Sequence, residues 1–111
     1  MNKITITGLY KTFGAHIALN KISLSANKGD VVVLLGSSGS GKSALLRCIK
    51  SLATLGMTMF IATNEIGFAK EIATHAIFLE NGDIIEQGAA NEMLNQPKTD
   101  RLKQFLDAVK Y

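Results

Sequence analysis

The chain carries a single cysteine, Cys48, in 111 residues, which excludes an internal disulfide and points to a reducing compartment. No apolar run approaches the ~18 residues that suggest a membrane span, and no basic-then-apolar leader opens the chain, so a soluble protein is expected. Histidine is scarce: His16 and His75 are the two present, and neither stands at metal-ligand spacing from the other or from Cys48, which argues against a zinc site. Basic residues gather only at Lys98, Arg101, Lys103 and Lys110. Without interleaved aromatic residues that cluster reads as a solvated helix face, and nucleic acid is not expected as a partner. Internal repeats and low-complexity stretches are missing as well.

What is present argues for a folded domain. Apolar residues make up 47% and charged residues 19% of the chain, with a net charge of +3, which argues against disorder. The length suggests one domain over residues 1–111, able to bury about two-thirds of the surface its unfolded chain exposes.

The most specific feature is the run Gly36-Ser37-Ser38-Gly39-Ser40-Gly41-Lys42-Ser43. Glycine, four free positions, glycine, lysine and then serine is the pattern of a phosphate-binding loop, Walker A. Glycines let successive N–H groups converge on phosphate oxygens, and a following helix turns its positive end to the same place. Lys42 is placed to reach the β- and γ-phosphates, and the Ser43 hydroxyl to ligate a bridging magnesium ion. The flanks fit. Val31-Val32-Val33-Leu34-Leu35 reads as a buried strand entering the loop, and Leu45, Leu46, Ile49, Leu52 and Ala53 fall on one face of a helix leaving it. A merely flexible Gly/Ser turn would explain neither Lys42-Ser43 nor those periodicities.

Elsewhere Ile4-Thr5-Ile6-Thr7 alternates as a strand does, and 17–24 holds a second strand after a turn around Gly14, giving an antiparallel preface. Strands are also predicted over 57–62 and 76–80, with a short amphipathic helix carrying Ile66, Ala69, Ile72 and Ala73 between them. Asn81-Gly82 marks a hairpin returning through 83–87. A short helix follows Gly88 to about Asn95 and is broken by Pro97. Leu102, Phe105, Leu106 and Val109 form the apolar stripe of a last helix, with Thr99 or Asp100 as its cap. Strands alternating with helices after the loop indicate an α/β domain with a parallel sheet.

Three stretches resemble a known family. These are Leu9-Tyr10-Lys11-Thr12-Phe13-Gly14; Gly29-Asp30-Val31 through to Gly41-Lys42-Ser43; and Gly56-Met57-Thr58-Met59 through to Gly67-Phe68-Ala69, continued by 78–88, Pro97, Arg101, Phe105 and Leu106. Together they resemble the ATP-binding subunit of an ABC transporter, in the branch serving polar amino acids. The resemblance implies a P-loop NTPase-like three-layer core, with a reduced parallel sheet and an N-terminal antiparallel β segment. It implies adenine stacking on Phe13, phosphate binding by Gly36, Ser37, Ser38, Gly39, Ser40, Gly41, Lys42, Ser43 and Ala44, and magnesium on Ser43, so that ATP and Mg2+ are the expected ligands. Ala44 stands where a second threonine often bonds the α-phosphate, and Asn64 in Thr63-Asn64-Glu65 replaces the family's switch histidine.

The family also has, between the counterparts of Lys50 and Gly56, a long stretch that this sequence lacks. With it go the Q-loop, the helical subdomain, the signature sequence and the Walker B strand with its magnesium-binding and catalytic carboxylates. No confident catalytic residue remains, so ATP hydrolysis and transport coupling are expected to be lost or very weak. In a sheet of order 5-1-4-3-2 the missing strands 2 and 3 lie on one side, so their loss peels an edge and leaves 31–35 flanked by 57–62 and 76–80. The exposed edge at 57–62 invites pairing with another chain. Besides ATP, the expected partners are a second copy, full-length ABC ATPase subunits and, by resemblance, membrane subunits. The expected location is cytoplasmic, at the inner face of the plasma membrane through those partners. The alternatives are a non-catalytic interaction fragment and a decayed gene product without a role.

Two other patterns are weaker. Asn27-Lys28-Gly29-Asp30 matches the guanine-reading motif of GTPases, but it precedes the phosphate loop instead of following it, so a polar turn is expected. Ala76-Ile77-Phe78-Leu79-Glu80 imitates a Walker B strand, yet Asn81-Gly82 makes Glu80 part of a hairpin entry. Glu65 could approach a nucleotide from the neighbouring strand end.

Overall fold

Five consecutive apolar residues in one strand need cover on both faces, and the computed structural model, which describes residues 3–27, 29–37, 40–52 and 59–109, shows both covers. The elements in chain order are β1 (Lys3–Phe13), β2 (His16–Asn27), β3 (Val31–Leu35), α1 (Lys42–Leu52), β4 (Met59–Ala62), α2 (Ile66–Ile72), β5 (His75–Glu80), β6 (Asp83–Ala89), α3 (Ala90–Asn95) and α4 (Asp100–Ala108). β1 and β2 form an antiparallel pair, while the second sheet has the order β4-β3-β5-β6. In it β3 pairs parallel with β4 on one side and with β5 on the other, and β6 returns antiparallel to β5. The expected neighbours of β3 are therefore the observed ones, with α1 making the crossover to β4. Gly56, Met57 and Thr58 lie outside the described residues.

Alternate residues of the central strands point to opposite layers. Val32, Leu34, Ile77 and Leu79 pack with Ile6, Leu19, Ile22, Leu24 and Leu45, joining the sheet to the hairpin and α1. Val33, Leu35, Ala76 and Phe78 pack with Ile66, Ala69, Met93, Leu94 and Leu102, joining it to α2, α3 and α4. This double burial is why 31–35 shows no alternation in sequence. The result is the three-layer α/β architecture with a short parallel sheet and an antiparallel N-terminal segment.

The hairpin strands run further than their alternation suggests. Register shifts fall between Ile6 and Leu9 and again up to Thr12, and such irregularities break the period of two by which a strand is recognised. Asn81 and Gly82 both take positive φ, 52° and 83°, as a two-residue I′ turn requires. The polar turn before β3 is real: Asp30 N donates to Asn27 O, and Asn27 N to Asp30 Oδ2 at 2.8 Å. Beneath the sheet, Thr74 Oγ1 accepts from Val31 N at 2.9 Å and tacks the start of β3 to that of β5.

Candidate functional site

The loop leaving β3 is held in place from three directions. From the β3 end, Gly36 has φ 150°, and a Cβ there would lie 2.5 Å from Leu79 O and 2.6 Å from Ser40 Oγ. At the helix end, Gly41 has φ 109°, and its Cβ would meet Ala18 O at 2.8 Å. Both positions are closed to any side chain, so the glycines here answer to crowding. Thirdly, the β5–β6 turn braces the loop: Gly82 N donates to Ser40 O at 2.8 Å, and Gly82 O accepts from Asn20 N at 2.8 Å.

α1 starts at Lys42, and its first turn contains no acidic residue. The positive end of the helix is thus not neutralised from within. Leu45 N donates to Gly41 O at 2.9 Å, setting the first full turn immediately after the loop. Lys42 Nζ donates to Asn64 Oδ1 at 3.2 Å, and burial holds the Lys42 ammonium below the usual lysine value. Asn64, beyond the end of β4, also donates from Nδ2 to Gly36 O at 3.0 Å and accepts from Gly36 N at 3.4 Å.

These residues open onto a cavity of about 520 Å³ between α1, the loop and the hairpin, lined by Ser37, Ser40, Lys42, Ser43, Ala44 and Asn64 together with Gly41, His16, Ala18 and Arg47. Six residues of the expected phosphate set, Ser37, Ser40, Gly41, Lys42, Ser43 and Ala44, therefore line one cavity, and Gly36 sits buried behind it. Ser38 and Gly39 lie outside the described residues. Phe13 closes β1 opposite His16, and its side chain also lies outside what the structure describes. His16, Ala18 and Arg47 are lining residues that motif reasoning missed. Arg47 had a signal, since it stands four positions after Ser43 and so on the same helix face. His16 and Ala18 had none, because only the packing of the hairpin brings them to the loop.

The cradle fits a nucleotide phosphate chain: a helix N-terminus, an ammonium and hydroxyls face one space, and Ser40 Oγ, in a residue 2% exposed, is without a hydrogen-bond partner among the described residues. For magnesium the side-chain offer is Ser43 alone. Among the described residues no group of three His, Cys, Asp or Glu could hold a metal, so phosphate oxygens and water would supply the other ligands. None of the lining residues is a carboxylate. Glu80 is turned away in a pair with Arg101, and Glu65 lies on the solvent side at the N-cap of α2. No helix among the described residues is long and apolar enough to cross a membrane.

The family described as ABC transporter matches residues 19–109. Relatives include a probable amino-acid import ATP-binding protein, YxeO, of Bacillus subtilis, 45% identical over 67 residues that cover 60% of this chain and 27% of that protein. The histidine/lysine/arginine/ornithine transport ATP-binding protein HisP of Escherichia coli is 44% identical over 62 residues, 56% of this chain and 24% of that protein. An L-cystine import ATP-binding protein of Bacillus subtilis is 42% identical over 65 residues, 59% and 26% respectively. The chain thus spans roughly a quarter of the length of the curated relatives it matches. Among solved structures, the ADP conformation of an ATP-binding cassette of an ABC transporter superposes with a TM-score of 0.76 at 14% identity, covering 96% of this chain and 99% of that one. A nucleotide-free ATP-binding cassette superposes at 0.74 and 13% identity, covering 93% and 97%. At those identities the likeness concerns the fold.

Proposed function

This chain belongs to the ABC transporter family, and from that premise we propose that residues 1–111 act as one nucleotide-binding unit, of the kind found in the ATP-binding subunit of a polar amino-acid importer. ATP with Mg2+ is its ligand. The observation that carries the reading is the convergence of Gly41, Lys42, Ser43 and the unopposed α1 N-terminus on one cavity, with Gly36 buried behind it. Residues 36–44 hold the phosphates, Ser43 contributes to the magnesium ion, and Phe13 carries the adenine. When bound, ATP supplies a phosphoanhydride bond that a positioned water can cleave. This lining offers no carboxylate to activate that water, and loss of a positioned acid or base forfeits roughly 10²–10⁴ in rate. Hydrolysis is therefore weak or lost, and transport coupling with it. The unit works in the cytoplasm, reaching the inner face of the plasma membrane through partner subunits.

Thermal denaturation tests the binding. ATP at a hundred times its dissociation constant stabilises by ~2.7 kcal/mol, which raises the melting temperature by roughly 10–20 °C for a domain of this size. Lys42→Ala abolishes most of that shift. A melting curve indifferent to millimolar Mg-ATP, the same in both proteins, overturns the reading.

A second reading has its own observation. β4 is the edge of the main sheet, with Met59 53% exposed, so a non-catalytic fragment pairing with full-length ATPase subunits through that edge also fits.

A further inference from the structure

β2 is irregular opposite Tyr10. Leu9 pairs with Ile22 and Lys11 with Leu19, so Asn20 and Lys21 together face one residue of β1, the arrangement of a β-bulge. Lys21 takes φ 52° there, in the left-handed region that a residue with a Cβ occupies only when its surroundings hold it. What holds it is the turn between β5 and β6. Asn20 N donates to Gly82 O at 2.8 Å, and Asn20 Nδ2 donates to Asp83 Oδ1 at 2.9 Å. A carboxylate can only accept, which fixes the end of the Asn20 amide that meets it. One residue of the bulge thus grips the turn through main chain and side chain at once.

The turn in its own right holds the phosphate loop, since Gly82 N donates to Ser40 O at 2.8 Å. Across a planar trans peptide the C=O and the N–H point in opposite directions. Drawing Ser40 O to the turn therefore sends the Gly41 N–H away from it. No acceptor among the described residues takes that N–H, and Gly41 lines the cavity beside Lys42 and Ser43. The turn is also pressed close against β2, because a Cβ on Gly82 would lie 2.7 Å from Ala18 O. We propose that Asn20 is a positioning residue for nucleotide binding: by fixing the Gly82 turn it sets the Ser40–Gly41 peptide so that the Gly41 N–H meets a phosphate oxygen of the ligand. The inference rests on the nucleotide-binding reading above and adds to it a residue of the hairpin, outside the loop motif.

Calorimetric affinity for Mg-ADP tests it in the unmutated chain, Asn20→Ala, Asp83→Ala, Asp83→Asn and Thr99→Ala. Asn20→Ala and Asp83→Ala release the turn and each weaken binding roughly tenfold, near the lower worth of one hydrogen bond to a charged group. Asp83→Asn keeps an oxygen that accepts from Asn20 and binds as the unmutated chain does. Thr99→Ala loses the cap of α4, and stability with it, but keeps its affinity, so it separates the aim of the loop from mere firmness of the fold. Unchanged affinity in either Asn20→Ala or Asp83→Ala overturns the proposal while the binding reading stands, and so does an equal loss in Asp83→Asn or Thr99→Ala. Absence of binding by the unmutated chain removes both. Should the alanine variants at Asn20 and Asp83 fail to fold, hydrogen exchange in the unmutated chain decides: the Gly82 amide is protected throughout, and the Gly41 amide becomes protected when Mg-ADP binds. A Gly41 amide that bound Mg-ADP leaves unprotected overturns the assignment.

Discussion

Ser40 buries a hydroxyl whose Oγ finds no hydrogen-bond partner among the described residues, in a residue 2% exposed. An unpartnered buried polar atom costs its desolvation, ~1–3 kcal/mol. In the absence of nucleotide, Ser40→Ala is expected to gain about 1 kcal/mol in urea denaturation; no gain would show that the hydroxyl has a partner after all. At this scale the sequence was most readable where one local motif dictates chemistry. That Gly36, Gly41, Lys42 and Ser43 belong to one loop was legible because a single spacing pattern holds them. The bracket of Asn64 on Gly36 was not legible, since nothing in Thr63-Asn64-Glu65 says which loop lies beside it. His16 was illegible for the same reason.

The last helix depends on a joint between elements. Thr99 caps α4, its Oγ1 accepting from Leu102 N at 3.2 Å, and Glu86 on β6 holds the cap: Oε1 accepts from Thr99 N and Thr99 Oγ1, and Oε2 from Lys98 N at 3.1 Å. Burial alone would push the Glu86 carboxyl up, but these hydrogen bonds from Thr99 and Lys98, together with the Lys98 charge, outweigh it and hold it below the ordinary value. A depressed carboxyl stabilises the fold above its unfolded pKa, and that contribution fades as pH falls through the lower folded pKa. Glu86→Gln should therefore lower stability at neutral pH, with the difference from the unmutated chain shrinking in acid, read from denaturation curves across that range. A gap that stays constant with pH would dissociate the charge from the cap. A cap at Thr99 or Asp100 was readable from the place before an apolar helical stripe, and the structure gives Thr99. Glu86 was not, because it lies in another element. The same division holds for the strands. β3, β5 and the Asn81-Gly82 turn were legible from apolar runs and turn chemistry, while the full length of β1 and β2 was hidden by bulges that only pairing reveals.

For the molecule as a whole, the main sheet ends at β6 on one side and at β4 on the other among the described residues. β6 is packed by β2, α3 and α4, whereas β4 carries Met59, 53% exposed, on an edge with no further strand among the described residues. Exposed apolar edges recruit strands. Under the interaction reading the chain co-purifies with a full-length ATPase subunit at micromolar concentration, and Met59→Lys abolishes the association. Failure to associate at all counts against that reading and leaves nucleotide binding untouched.

The brace from Gly82 to Ser40 gives the phosphate loop a place in time as well as in space. A ribosome delivers the loop first and its props, Asn64 and then Gly82, much later. Contacts that distant in sequence close late in folding. A chain halted after α1 would own every letter of the motif and, of the scaffolding that shapes it, the β2 contact at Ala18 alone. The shape of the loop is thus completed only in polypeptide translated past the β5–β6 turn.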